Sequence, residues 1–98
     1  MSSVARGSAI RLTSTVTANH TSSALVDVEV YDANWNKVYQ RFWDNQSFAA
    51  NLARTFSTSW TVPATARTGT YHVMVGTFGP GWNGLYSFNS SAATFTVR

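Results

Sequence analysis

The feature that most constrains this chain is the period of its apolar residues. No stretch keeps them at helical spacing over 11 residues, whereas alternation returns in segment after segment. The first expected strand, 8–18, places Ile10, Leu12 and Val16 on one face, and Asn19-His20-Thr21-Ser22-Ser23 turns the chain. The second, 24–31, buries Ala24, Val26, Val28 and Val30 and exposes Asp27, Glu29 and Tyr31. Asp32-Ala33-Asn34-Trp35-Asn36 follows with the Asx side chains of a turn. After a third strand at 37–44 come an Asn45-Gln46-Ser47 loop and a short strand near Phe48. Strand 52–62 alternates Leu52, Phe56, Trp60 and Val62 with small polar residues, is interrupted by Arg54 and Thr58, and stops at Pro63. The next, opened by Gly69, points Tyr71, Val73 and Val75 inward and His72, Met74 and Gly76 outward. A glycine-rich loop at 78–84 precedes the last strand, 92–97, which 85–88 begins across a bulge near Asn89-Ser90-Ser91.

Six or seven short strands separated by turn signals predict an all-β, two-sheet antiparallel sandwich in an order like that of immunoglobulin and fibronectin modules. The 98 residues fit one domain, 8–98, preceded by a flexible tail over 1–7 that looks like the cut end of a longer protein. Tyr71 stands where a tyrosine corner is expected. The predicted core is Trp60, Phe56, Val28, Val30, Val73, Val75, Phe42 and Phe95.

The third strand has two possible parities. One buries Val38, Gln40 and Phe42; the other buries Tyr39, Arg41 and Trp43. A buried, hydrogen-bonded glutamine is tolerable, whereas an unpaired buried arginine is far more costly. The first parity is therefore expected, with Tyr39 and Trp43 facing water.

Composition narrows the function. Only 11% of residues are charged, while 12 Ser and 13 Thr supply polar surface. The net charge of +3 comes from scattered cations, which argues against nucleic acid as a partner. The chain has no cysteine, excluding thiolate chemistry and disulfides, and no 18-residue apolar run to span a membrane. No acid/base pair or triad can be assembled: Asp27 and Glu29 read as solvated residues on one strand face, and neither His20 nor His72 sits in a nucleophilic signature. Asp32-x-Asn34-x-Asn36 copies half a calcium loop, but Lys37 stands where glycine is needed and Trp43 where a bidentate glutamate is needed. An Asx-stabilised turn is expected there, with no catalytic residue, metal or cofactor.

Aromatic placement is the unusual feature. Trp60 alternates with small polar residues and belongs to the core, whereas Trp35 and Trp82 sit in polar or glycine-rich loops expected at one end of the sandwich. With Tyr39, Trp43, Met74 and Gly76 they are expected to share one surface. Tyr39 and Trp43, four residues apart, span roughly 13 Å, enough for about two to three sugar rings. A pyranose presents a C–H face that stacks on indole, and amides nearby meet its hydroxyls. The expected carbohydrate-binding residues are Trp35, Trp43 and Trp82, extended by Tyr39, Tyr86 and His72, with Gln40 and Asn83 as hydrogen-bonding partners. The alternative is that the loop tryptophans are lids over the ends of the core.

The segments VEVYDANWNKVYQ, SWTVPATARTGTYHVMVGTF, GPGWNGLYSFN and AATFTV, within 26–97, resemble the Ig-like sandwich modules attached to bacterial glycoside hydrolases. The nearest resemblance is to family 81 of the carbohydrate-binding modules, found on endoglucanases. It implies a secreted, extracellular, non-catalytic module that binds β-glucans (cellulose, cello-oligosaccharides, other β-1,4-linked glucans such as xyloglucan) and targets an attached glycoside hydrolase. Related spacer modules share much of the pattern but usually carry glycine where Trp35 stands, so a structural spacer or protein-interaction domain is the competing expectation.

Overall fold

The structure, a computed structural model, describes residues 2–18 and 20–98. Among them are seven strands: β1 (Ser2–Val4), β2 (Ala9–Thr17), β3 (Ser22–Tyr31), β4 (Lys37–Phe48), β5 (Ala53–Thr61), β6 (Gly69–Phe78) and β7 (Leu85–Val97). One sheet has the order β1-β7-β6-β3-β4 and the other contains β2 and β5, giving the all-β sandwich that the alternation predicts. All pairings are antiparallel except β1 on β7. Residues 2–7 are therefore not the expected tail: Val4 is buried in the core, its carbonyl accepts from Arg98 N, and Gly7 N donates to Val62 O. Met1 and Asn19 lie outside the described residues.

The inner faces meet in two buried clusters. The larger joins Leu12, Val28, Val30, Trp60, Val62, Tyr71, Val73, Phe95 and Val97; the smaller holds Ala24, Val26, Phe48 and Phe56. Trp43 packs against both. Tyr71 donates its hydroxyl to Arg67 O at 2.6 Å, the hydrogen bond of a tyrosine corner.

The parity of β4 is the reverse of the expectation. Register pairs Tyr39, Arg41 and Trp43 with the buried Val30, Val28 and Val26, and leaves Gln40 and Phe42 opposite Glu29 and Asp27 on the other face. Tyr39 and Trp43 are half-buried against Trp60 and Phe56, whereas Val38, Gln40 and Phe42 are exposed. The anticipated cost of burying Arg41 does not arise. β4 is an edge strand, so Arg41 stays exposed, its guanidinium 5.2 Å from the Trp43 ring centroid. Tyr39 also bonds to Thr58 Oγ1 at 2.6 Å, tying β4 to the facing sheet.

Smaller departures share one cause, packing beyond the reach of local pattern. β4 runs through the expected Asn45-Gln46-Ser47 loop to buried Phe48, with Asp44 and Asn45 bulged opposite Leu25. Leu52 is exposed outside β5, and Arg54 covers Phe48 and Phe56 while donating to Ser47 O. Ser22 and Ser23 belong to β3. Val75 is only partly buried. The β7 register skips between Ala93 and Asn89, where the bulge was expected. Urea unfolding checks the reversed parity: Trp60→Ala costs about 3–5 kcal/mol and Trp43→Ala about 2, while Phe42→Ala stays within about 1. A larger loss at Phe42 than at Trp43 contradicts it.

Candidate functional site

The outer face of the five-stranded sheet is built in three rows. Across β3 and β6, register aligns Tyr31 with His72, Glu29 with Met74, and Asp27 with Gly76; β4 adds Gln40 beside Glu29 and Phe42 beside Asp27. Phe88 of β7 lies across from Gly76. The first and third rows are aromatic and the middle one polar. Tyr31 and Asp27 are four residues apart, so the aromatic rows stand ~13 Å from one another.

Each aromatic row ends in a loop tryptophan, and the two lie at opposite ends of the sheet rather than at one end as expected, because β3 and β6 are antiparallel neighbours and the turns that follow them leave from opposite ends. The β3–β4 turn is held by Asp32, whose Oδ1 accepts from Asn34 N at 2.8 Å and Asn36 N at 2.9 Å; this is the expected Asx-stabilised turn. The hydrogen bond from Asn36 N, the largest influence, helps hold the Asp32 carboxyl below its ordinary range. Trp35, 54% exposed, stacks on His72 with ring centroids 3.9 Å apart and planes 11° from parallel. At the other end a 3-10 turn (Pro80–Trp82) folds back against β3 and β4, and Asp44 Oδ1 accepts from Gly81 N at 2.8 Å. Trp82, 43% exposed, packs against Phe42 and Phe78 at 5.3 and 4.9 Å.

Both tryptophans have left-handed backbones, φ 63° at Trp35 and 65° at Trp82. For a bulky residue this is strained by about 1–3 kcal/mol and marks places where function commonly outweighs local comfort. Two glycines make the third row possible. A Cβ on Gly76 would meet Phe78 and Phe88 at 2.9 Å each, so its absence lets the rings lie close to the sheet. A Cβ on Gly79 would lie 2.1 Å from Asn83 O, so only glycine closes the loop carrying Trp82.

The polar floor is the middle row together with Asp27, the one polar member of the third. Asp27, expected to be solvated, is fully buried. Gln40 Nε2 donates to its Oδ1 at 2.9 Å, and no donor among the described residues reaches Oδ2. Burial, followed by hydrogen-bonding contact with Glu29, pushes the Asp27 carboxyl from its ordinary 3.8 up to about 7. Glu29 is half-buried and shifts downward, chiefly through the same contact and also because Tyr31 donates to Oε1 at 2.6 Å. That bond is the main reason the Tyr31 hydroxyl rises to about 12. Lys37 Nζ lies 4.0 Å from Glu29 Oε1 and donates to Gln40 Oε1 at 3.3 Å.

Of the expected binding residues, Trp35, His72, Gln40 and Trp82 come together on this face. Asn83 lies exposed in the Trp82 loop, its N donating to Gly79 O. Trp43 and Tyr39 face the opposite side of their sheet and leave the set, a consequence of the reversed β4 parity. Tyr86 is exposed at a cleft of about 560 Å³ between the sheets, lined also by Val16, His20, Ala24 and Phe48. Phe42, Phe88, Glu29, Asp27 and Asp44 enter the site without having been expected there. The other β4 parity, read against Asp27 and Glu29 on β3, is the signal that would have found Phe42, Asp27 and Glu29; nothing local marks Asp44, and Phe88 depends on the register of β7. No known family model matches the chain, and no curated protein matches it.

The Asp27 shift makes stability depend on pH. Between about pH 4 and pH 7 the folded chain holds a proton on Asp27 that the unfolded chain has released, so stability from this group falls as pH rises through that window. Glu29, whose carboxyl shifts downward from its ordinary 4.5, contributes a slope of the opposite sign at the acid end of this window and below. Thermal melts of the wild type are expected to show a decline from about pH 5 to pH 7.5 that Asp27→Asn removes. An unchanged decline in the variant disproves the assignment.

Proposed function

We propose that the chain is a non-catalytic carbohydrate-binding module. On this reading it holds a β-1,4-linked glucan along the outer face of the five-stranded sheet and keeps an attached glycoside hydrolase near its substrate. The observation that carries the reading is the pair of exposed, backbone-strained tryptophans at opposite ends of one face, on aromatic rows ~13 Å apart, with hydrogen-bonding groups between them. Sugar rings stack on the aromatic rows while their hydroxyls meet Gln40, Glu29 and Lys37. The left-handed Trp35 adds weight, since glycine is the natural occupant of such a conformation and tryptophan gains nothing locally there. The sheet order β7-β6-β3-β4 follows the G-F-C-C′ order of immunoglobulin-like domains and supports that finer fold reading. Secretion as part of a larger enzyme belongs to the same proposal.

A few stacked rings on a preformed face give modest affinity, on the order of micromolar to millimolar. Trp35→Ala and Trp82→Ala are each expected to weaken cello-oligosaccharide titrations at least about tenfold without unfolding the domain. Gly79→Ala, by disturbing the Trp82 loop, weakens them too. Retention on insoluble cellulose is expected to change little with salt, because the glucan itself carries no charge. Unchanged titrations in both tryptophan variants return the face to the competing role, a spacer whose aromatics pack on a neighbouring domain.

A further inference from the structure

The floor between the tryptophans contains two neighbouring carboxylates, Asp27 and Glu29, whose coupling to a ligand rests on the glucan-binding reading. Among the described residues, Asp27 Oδ2 is the buried side-chain polar atom with no hydrogen-bond partner. It belongs to a fully buried carboxylate whose neighbour on β3, Glu29, is also a carboxylate. Two acceptors in contact repel one another unless one proton lies between them.

Among the described residues, the surroundings leave that proton no competing donor. β3 contributes Tyr31, whose hydroxyl is committed to Glu29. β4 contributes Gln40 on Oδ1 and the Lys37 ammonium beside Glu29, while Arg41 sits on the other face over Trp43. Across the register β6 places uncharged Met74 and Gly76 beside the pair, and His72 one row away beside Tyr31. β7 offers Phe88, and the 79–84 loop carries no charge of its own but is tied to Asp44.

We propose that glucan binding and proton uptake are coupled at Asp27–Glu29, because a sugar laid across the floor desolvates the pair and favours the form in which the two carboxylates share one proton. The proton comes from solvent and rests on Asp27, donated toward Glu29, while the Gln40 amide stays anchored to Asp27 Oδ1. The doubly ionised pair of higher pH is penalised by the covering sugar, so affinity falls as the shared proton is lost. By linkage, bound glucan in turn raises proton affinity at the pair. Asp27 acts as a positioning residue: it fixes Gln40 and Glu29 and does not itself reach the ligand.

The test is calorimetric titration of cellohexaose into the whole chain at about pH 6 and about pH 8.5, in buffers of different ionisation enthalpy. The wild type is expected to bind about fivefold more weakly at the higher pH. It also takes up a fraction of a proton per glucan between these values. Asp27→Asn, which leaves His72 in place, loses both effects. Wild-type binding that is flat with pH and independent of buffer overturns the coupling while leaving the binding reading intact. Absence of binding at either pH overturns both. If Asp27→Asn does not fold, His72→Asn decides: proton uptake retained supports the Asp27–Glu29 pair, and uptake lost assigns it to the histidine and overturns the proposal.

Discussion

The inward turn of Trp43 is the contact on which the rest of the molecule depends. A two-stranded sheet cannot cover a five-stranded one with aliphatic side chains alone, and β4 lies at the margin of the larger sheet. Trp43 spans that margin, touching both buried clusters, and Tyr39 reaches Trp60 and Thr58 from the same strand face. Large rings suit such a boundary, because each buries a wide apolar surface, and the Tyr39 hydroxyl keeps a partner in Thr58.

Because side chains alternate along a strand, the same turn fixes the outer face. Sending Tyr39 and Trp43 inward leaves Gln40 and Phe42 over β3, where Gln40 engages Asp27 and Phe42 supports Trp82. Core and outer face are thus two sides of one register. A slip of one residue in β4 would bury Gln40 and Phe42 and dismantle both at once.

The polar floor shows how a low-charge surface still carries strong electrostatics. Asp27 is covered on the outer face of the sheet, so its carboxyl meets little water and its strongest neighbour is another carboxylate. Tyr31 and Lys37 hold Glu29 as the ionised member. The two aromatic rows flank this network and limit solvent further.

The sequence by itself determined the sandwich, most strand positions, the tyrosine corner, Trp60 in the core and the placement of Trp35 and Trp82 in loops. Each follows from short-range signals: alternation, turn residues, and indole rings amid polar or glycine-rich neighbours. Only the tertiary structure decided the parity of β4, and with it the exchange of Trp43 and Tyr39 for Gln40 and Phe42 on the outer face. Arg41, whose burial looked prohibitive, escapes because its strand lies at an edge, and no local pattern states which strands are edges. The same holds for Asp27, whose position on an outward face looks solvated until side chains from other strands cover it. Alternation specifies that a strand has two faces; which one is buried depends on what the opposing sheet can reach.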